Sequence, residues 1–309
     1  MVGSLGIFFE VTVNSFILIS GYFGMKLSLK RILRLILDMV VWGEVLYILS
    51  VVIGYRDFSV MSAVYFAVPV HWWFIVYYMV LMLFAPYINK LLDMLDKNSF
   101  RMLLLFMFFA LSVAPTFLGY DFGGGVTTFI LMYVIGRYIR KYEANTLNGI
   151  SYFASYVVFS LLSAAGNYVL HNNFKVPYDW GITFFLYNSV FLVLASVCFF
   201  CIFTKIHFTS PVINRLAKSA LGIYIIHEHP VVREFYLEKM GVLEKVGGSF
   251  APWFVNFLVT LLVVYGLCLL VETIRLAIFD KLNDSFISKI CGISFVKKFN
   301  DALEGLNDR

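Results

Sequence analysis

Apolar segments long enough to cross a lipid bilayer recur along most of this chain. Residues 250–271, for example, contain no charged side chain, and a membrane-spanning helix needs about 20 predominantly apolar residues. Of the 309 residues, 61% are hydrophobic, a balance that excludes an ordinary soluble domain. Backbone groups in lipid must be hydrogen-bonded internally, and these segments lack the alternation of a β-barrel. We therefore predict an all-α fold, a polytopic transmembrane helical bundle.

The bundle is expected to contain about nine spans. They are Leu5–Met25, Ile32–Ile53, Trp72–Ile88, Met102–Leu118, Phe122–Ile139, Ile150–Leu170, Trp180–Phe203, Val212–Ile226 and Phe250–Val271. The apolar part of residues 54–71 is too short to cross and is expected to be re-entrant or interfacial. We assign residues 1–275 to a single transmembrane domain and residues 276–309 to a charged tail.

The distribution of basic residues predicts the orientation of the spans. If the loop at residues 26–34 is cytoplasmic and the loops alternate, 19 of the 24 Lys and Arg residues lie on the cytoplasmic side. Such an excess agrees with the positive-inside rule. The N-terminus of the chain is then expected outside and the C-terminus in the cytoplasm. The net charge of +5 is explained by these loops, so nucleic acid is not an expected partner.

The sequence LGIYIIHEHP, at residues 221–230, is the main candidate for chemistry. Ionisable groups near membrane depth are costly and by default indicate a functional site. Imidazole titrates near neutral pH and can act as a general base, which makes His227 the first catalytic candidate, followed by His229 and Glu228. Alternatively, these residues begin a solvated loop, with Pro230 ending the helix. We find no metal-ligand cluster and no nucleotide-binding loop in the sequence.

Four stretches of the chain together resemble the acyltransferase-3 family of integral-membrane enzymes, which O-acetylate bacterial surface polysaccharides. They are NSFILISGYFG (14–24), HWWFIVYYMVLMLFAPYIN (71–89), MYVIGRYIRKY (132–142) and SALGIYIIHEHP (219–230). Their order is that of the family, and they are distributed over residues 14–230, which is most of the chain. Family members usually begin with a further span that carries an arginine and a histidine regarded as catalytic. This chain is expected to start just after that span, which agrees with nine spans in place of ten.

The resemblance implies transfer of an acyl group, most simply acetyl, from cytoplasmic acyl-CoA to a hydroxyl of a cell-envelope saccharide or lipid-linked saccharide. No bound cofactor is expected, and acyl-CoA would be a co-substrate. CoA phosphates need basic side chains at the cytoplasmic face, and Lys30, Arg31 and Arg34 follow the SGY sequence where the family has a basic cluster. Arg137 is a weaker candidate of the same kind. Membrane topology alone would also explain these basic residues.

Six residues are candidates for the acceptor side or the donor path, and each has a structural alternative. They are Glu10, Asn14, Ser20, Tyr22, Trp72 and Trp73. Glu10 and Asn14 share a helical face and line either an acceptor path or an interhelical hydrogen bond. Ser20 and Tyr22 flank a glycine that permits close approach by a ligand or another helix. The two tryptophans either stack on a sugar or anchor the membrane interface.

Two other functions fit the same features. A transporter or flippase for a lipid-linked saccharide would also have polar groups within spans and a basic cytoplasmic face, although repeated halves with interrupted helices are not found. The absent first span also allows an inactive truncated family member. For each of these functions the resemblance implies a multi-pass protein of the plasma (inner) membrane.

Overall fold

The computed structural model of the protein describes residues 2–118, 125–143, 145–173, 184–239 and 250–307, and the helical bundle predicted from the sequence is confirmed there. The described residues form helices without a β-strand. The helices are α1 (Val2–Phe23), α2 (Leu29–Val52), α3 (Val60–Ala67), α4 (Trp73–Met94), α5 (Lys97–Phe108), α6 (Ala114–Leu118), α7 (Val126–Tyr142), α8 (Gly149–Asn173), α9 (Val190–Phe203), α10 (Pro211–His227), α11 (Pro230–Glu234), α12 (Phe250–Gly292) and α13 (Ser294–Glu304).

Five of the described helical segments are long and apolar enough to cross a membrane, by length and composition. They are Leu29–Val52, Trp73–Met94, Lys97–Leu118, Gly149–Leu170 and Ala251–Gly292. Phe8–Phe23 and Val190–Phe203 are shorter apolar helices. The total of nine spans stays a prediction. The short helix α3 agrees with the expectation that residues 54–71 do not cross.

Several predicted boundaries differ from the structure. The third span was predicted to end at Ile88, but α4 continues to Met94, and the fourth was predicted to begin at Met102, whereas α5 begins at Lys97. The seventh span was predicted from Trp180, a position outside the described residues. The described residues 184–189 form turns, and α9 begins at Val190. The fifth was predicted to end at Ile139, whereas α7 continues to Tyr142. The ninth was predicted to end at Val271, but α12 continues to Gly292. The charged residues after position 271 suggested the end of a span, yet charge alone does not break a helix, and the stretch lacks proline and glycine until Gly292.

The described residues group into two compact units. The first consists of residues within Met1–Leu27, Tyr77–Phe208 and Leu306–Arg309, and the second of residues within Ser28–Val76 and Thr209–Gly305.

The first unit is built on a close crossing of α1 and α7. A Cβ atom added to Gly21 would collide with the backbone carbonyl of Tyr133, and one added to Gly136 would collide with the backbone of Leu18 and Tyr22. Small residues are the usual way for membrane helices to bring their backbones together. The glycine of SGY is thus explained by helix packing.

The second unit packs α10 against α12 and α2. Ser210 starts α10 by accepting a hydrogen bond from the Ile213 N–H at 3.4 Å, and Pro211 occupies the first turn. This is the preferred chemistry of a helix start. A Cβ atom on Gly222 would collide with the Glu272 carboxyl group, so glycine at this position lets the carboxylate approach the α10 backbone.

Candidate active site

The end of α10 brings His227 and Glu228 together. α10 ends at His227, Glu228 follows as the C-cap, and Pro230 begins α11, so the predicted helix end is confirmed. The Nε2 atom of His227 lies 3.4 Å from Oε1 of Glu228. The Nδ1 atom of His227 lies 2.9 Å from the carbonyl oxygen of Ile223. Neighbouring side chains on one helix would point about 100° apart, and the helix end removes that restriction.

The hydrogen bonds of His227 define which of its nitrogens can accept a proton. Nδ1 faces a carbonyl oxygen and therefore carries hydrogen, which leaves Nε2 as the acceptor in the neutral ring. Burial opposes protonation, but the hydrogen bond and negative charge of Glu228 outweigh it and raise the pKa of His227 above its usual value. When the ring is protonated, Nε2–H donates a hydrogen bond to Glu228 and lowers the pKa of that carboxyl. The Arg233 guanidinium, whose Nη1 lies 3.2 Å from Oε2 of Glu228, lowers the same pKa. A histidine paired with an ionised carboxylate is an arrangement suited to general base catalysis.

His229 has partners different from those of His227. It is fully buried, its Nδ1 accepts a hydrogen bond from the Val231 N–H at 3.2 Å, and its Nε2 lies 3.2 Å from the Gly43 carbonyl oxygen. Its ring also stacks on Phe66, with centroids 5.0 Å apart. Burial lowers the pKa of His229 to about 4, so the ring is neutral near pH 7. Both nitrogens are engaged within the protein, and His229 caps the start of α11.

The two tryptophans predicted to meet a sugar differ in exposure. Trp72 is fully buried and its Nε1–H donates to the Ile225 carbonyl oxygen at 2.9 Å. A buried indole offers no face to a sugar, so the contact with α10 is the role that the structure gives to Trp72. Trp73 is half-buried at the start of α4 and contacts the Phe74 ring edge to face, with centroids 6.2 Å apart.

A cavity of about 710 Å³ lies alongside the N-terminal two-thirds of α10. We call it the α10 cavity. Its charged lining consists of Arg34, Asp38, Arg215, Lys218, Glu272, Arg275 and Asp280. The seven residues come from α2, α10 and α12 of the second unit, so residues distant in sequence form one charged lining.

The innermost charges of the α10 cavity form a buried hydrogen-bonded network. The Arg275 guanidinium donates from Nε and Nη2 to the two oxygens of Glu272, at 2.8 and 2.7 Å, and from Nη1 to Oδ1 of Asp38 at 2.9 Å. Trp42 Nε1–H donates to Glu272 at 3.2 Å. Glu272 is 1% exposed and Arg275 is 8% exposed. Buried charges are tolerated when their hydrogen-bonding capacity is met in this way.

The basic residues predicted to bind CoA are largely engaged with carboxylates. Arg34 pairs with Asp284, its Nη1 lying 3.0 Å from Oδ1, and also with Asp280. The Lys30 ammonium lies 3.9 Å from Asp284. Arg31 is exposed on α2. Of these three predicted residues, the structure places Arg34 in the α10 cavity.

Arg215 and Lys218 are better placed to hold an anionic ligand. Both line the α10 cavity with exposed side chains. Among the ion pairs of the described residues, none involves either of them. Their spacing of three residues places them on one face of α10. Sequence reasoning included Arg215 and Lys218 only in the count of basic residues on the cytoplasmic side. Their spacing of three residues was a signal that could have identified them as a ligand-binding pair.

The match to known families supplies the decisive comparison. The acyltransferase-3 family model, described as an acyltransferase domain, matches residues 1–273. The chain belongs to the acyltransferase-3 family. No curated protein and no solved structure matches the chain significantly. The matched region includes His227, Glu228 and Glu272, and it ends before Arg275. Membership of this family indicates that the protein is a membrane acyltransferase. The partners of such an enzyme are an acyl donor and an acceptor.

In the first unit of this acyltransferase-3 chain, Asn14 and Glu10 contact the same tyrosine. Asn14 is buried, and its Nδ2 donates to the Tyr187 carbonyl oxygen at 2.8 Å and to Ser196 Oγ at 3.2 Å. The Tyr187 side chain hydrogen-bonds Glu10. The predicted shared face of Glu10 and Asn14 is present, and these contacts match its structural alternative. Binding of an acceptor there stays a prediction.

Ser20, Tyr22 and Arg137 also belong to the first unit. Ser20 Oγ donates to the Phe16 carbonyl oxygen at 3.0 Å, a bond within α1. The Arg140 guanidinium carbon lies 5.2 Å from the centre of the Tyr22 ring, a cation–π contact. Arg137 Nη2 lies 3.1 Å from Oδ1 of Asp93, and Arg137 lines a second cavity, which belongs to this unit.

Proposed function

We propose that this protein is an O-acyltransferase of the plasma membrane that moves an acyl group, most simply acetyl, from acyl-CoA to a hydroxyl of a cell-envelope saccharide. The coarser activity, acyl transfer, rests on the family. Transfer from acyl-CoA to a saccharide hydroxyl is supported by one observation in the second unit. The N-terminal two-thirds of α10 lines a cavity with basic side chains, and the C-terminal end of α10 carries the His227–Glu228 pair. The charge distribution along the sequence puts the cavity and the C-terminus on the cytoplasmic side.

The dimensions of α10 fit a donor and an acceptor that approach from different sides. Arg215 and His227 are 12 residues apart, or about 18 Å along the helix axis at 1.5 Å per residue. Gly222, where Glu272 contacts α10, is about 7.5 Å from His227 on the same measure. The phosphates of CoA would bind Arg215 and Lys218, and the thioester would extend past Gly222 toward His227.

The reaction that this arrangement supports is direct acyl transfer. His227 Nε2 accepts the proton of the saccharide hydroxyl while the hydroxyl oxygen forms a bond to the thioester carbonyl carbon. The carbon–sulfur bond breaks, and the CoA thiolate leaves and takes up a proton. Glu228 stabilises the imidazolium formed in between, and Nδ1–H bonded to the Ile223 carbonyl oxygen fixes the ring. The products are an O-acyl saccharide and CoA.

The experiment uses membranes that contain the inserted full chain, acetyl-CoA labelled in the acetyl group, and saccharide extracted from the cell envelope. We expect label in the saccharide as an alkali-labile ester, and less label in membranes carrying His227→Ala. Movement of a lipid-linked saccharide across the membrane without acetyl incorporation would instead indicate a flippase. Absence of label from a chain that is inserted and binds CoA would contradict the proposal.

A further inference from the structure

A second cavity, of about 560 Å³, lies within the first unit. We call it the α4 cavity, because Pro86, Asn89, Lys90, Asp93 and Met94 of α4 form one wall. Phe23 and the turn that follows α1 form another wall, and Arg137 of α7, Leu306 and Asn307 complete the lining. None of its lining residues belongs to the α10 cavity. The acyl-transfer proposal does not use it.

The turn after α1 is held in one conformation by side chains from three other segments. Tyr133 Oη accepts a hydrogen bond from the Met25 N–H at 2.8 Å and donates to Asn89 Oδ1 at 2.8 Å. Asn89 Nδ2 donates to the Met25 carbonyl oxygen at 3.1 Å. Asn307 bonds both the N–H and the carbonyl oxygen of Leu27, at 2.8 and 2.9 Å. The wall of the cavity is therefore pre-formed by hydrogen bonds.

Gly24 makes room for the Arg137 guanidinium at the base of the α4 cavity. Its φ of +78° is a conformation that favours glycine, and an added Cβ atom would lie 2.9 Å from Nη1 of Arg137. The arginine side chain thus packs directly over the turn. Glycine here serves both the turn and the approach of the guanidinium.

The lining of the α4 cavity has an excess of positive charge. Lys26 and Lys90 are exposed, and neither takes part in the ion pairs found among the described residues. Asp93 is the one acidic residue of the described lining, and it pairs with Arg137 at 3.1 Å. Two lysines therefore remain to meet an anion.

The mouth of the same cavity carries large apolar side chains. Phe23 is 77% exposed and Met94 is 78% exposed. These two are the last residues of the apolar helices α1 and α4, at the end that the charge distribution assigns to the cytoplasmic side. Cations beside exposed apolar side chains at a membrane surface match a molecule that is anionic at one end and apolar at the other.

We propose that the α4 cavity binds the headgroup of an anionic phospholipid of the inner leaflet. Lys26 and Lys90 contact the phosphate, Arg137 lies at the base, and the acyl chains run along Phe23 and Met94. Basic pockets at the cytoplasmic side of transmembrane helices are known to suit such headgroups. CoA also carries phosphate groups. It lacks, however, the two long acyl chains with which a phospholipid would cover Phe23 and Met94 at the mouth of the cavity.

The test uses the purified full chain in a neutral detergent, with native mass spectrometry to count bound phosphatidylglycerol or phosphatidylcholine during titration. We expect one phosphatidylglycerol to bind at least about tenfold more tightly than phosphatidylcholine. The variant Lys26→Gln/Lys90→Gln should weaken phosphatidylglycerol binding by about 30-fold, the effect of two cations near a membrane surface. Both lysines are exposed, so the variant should fold, and its melting temperature verifies this.

A matched double variant separates a built site from general surface charge. Lys97→Gln/Arg101→Gln removes two exposed cations of α5 and should leave the affinity within about twofold. Equal weakening by both double variants, or equal affinity for the two lipids, would overturn the proposal. Displacement of the bound lipid by CoA or by inorganic phosphate at equal concentration would assign the cavity to that phosphate source and would also overturn it.

Discussion

The two cation-lined cavities differ in how their charges are held. In the α10 cavity a guanidinium is buried between two carboxylates, and the free cations Arg215 and Lys218 stand on the helix that leads to His227. In the α4 cavity the free cations stand beside exposed apolar side chains. The first arrangement suits a polar ligand fixed next to a reactive group, and the second suits an amphiphile. The same residue types therefore indicate different ligands, because their neighbours differ.

The largest expected effect is at His227, which distinguishes the α10 cavity from a simple binding site. His227→Ala should lower acyl-transfer turnover by roughly 10²–10⁴-fold, the usual range for a positioned acid–base group, and leave CoA affinity unchanged. His227→Gln retains hydrogen bonding but cannot take up the proton, so its turnover should fall by a similar factor. Turnover of the inserted variants with labelled acetyl-CoA is the measurement.

The control for His227 is His207→Gln, at an exposed residue between α9 and α10. It should retain normal turnover. Rescue of the alanine defect by glutamine at position 227 would mean that His227 orients the site and does not transfer the proton.

The second prediction concerns the packing that positions the buried network. Gly222→Ala should destabilise the protein by roughly 1–3 kcal/mol, because the new methyl group would displace the Glu272 carboxyl. The matched control variant is Gly266→Ala in α12, where an added Cβ atom meets no atom within 4 Å. That change should stabilise the helix by about 0.5–1 kcal/mol. Thermal unfolding of both variants in the same detergent would show opposite shifts, and shifts of the same sign would contradict the packing argument.

The comparison also shows what the sequence could and could not predict. Apolar length predicted the helical bundle, and the LGIYIIHEHP motif predicted a helix end at His227, since both signals are local. The motif could not show that His229 stacks on Phe66 while His227 meets Glu228. Glu272 was not among the candidate site residues, yet it is buried against Gly222. The contacts of His229 with Phe66 and of Glu272 with Gly222 join distant segments, which a single sequence does not display.

The third prediction tests whether the two cavities bind different ligands. Arg215→Gln/Lys218→Gln should weaken CoA binding by about tenfold, which corresponds to roughly 1.4 kcal/mol of charge-assisted hydrogen bonding. Phosphatidylglycerol binding should not change in this variant. Lys26→Gln/Lys90→Gln should show the reverse pattern. Added salt should weaken CoA binding to the unmodified protein, because exposed charges are screened. Parallel loss of both ligands in either variant would contradict the separation of the two sites.

The smallest expected effect is a shift in pH dependence, and it tests why His227 is paired with Glu228. The base is active when Nε2 is unprotonated, so kcat/KM should fall as the pH decreases through the raised pKa of His227. Glu228→Gln removes the negative charge that raises this pKa, while Arg233 remains nearby and favours the neutral ring. The acid limb of the profile should therefore move to lower pH. Arg233→Gln, which removes the neighbouring cation, should move it to higher pH. His229 is not expected to contribute a limb near neutrality, since burial lowers its pKa to about 4. An acid limb unmoved by either substitution would mean that the titrating group is not His227.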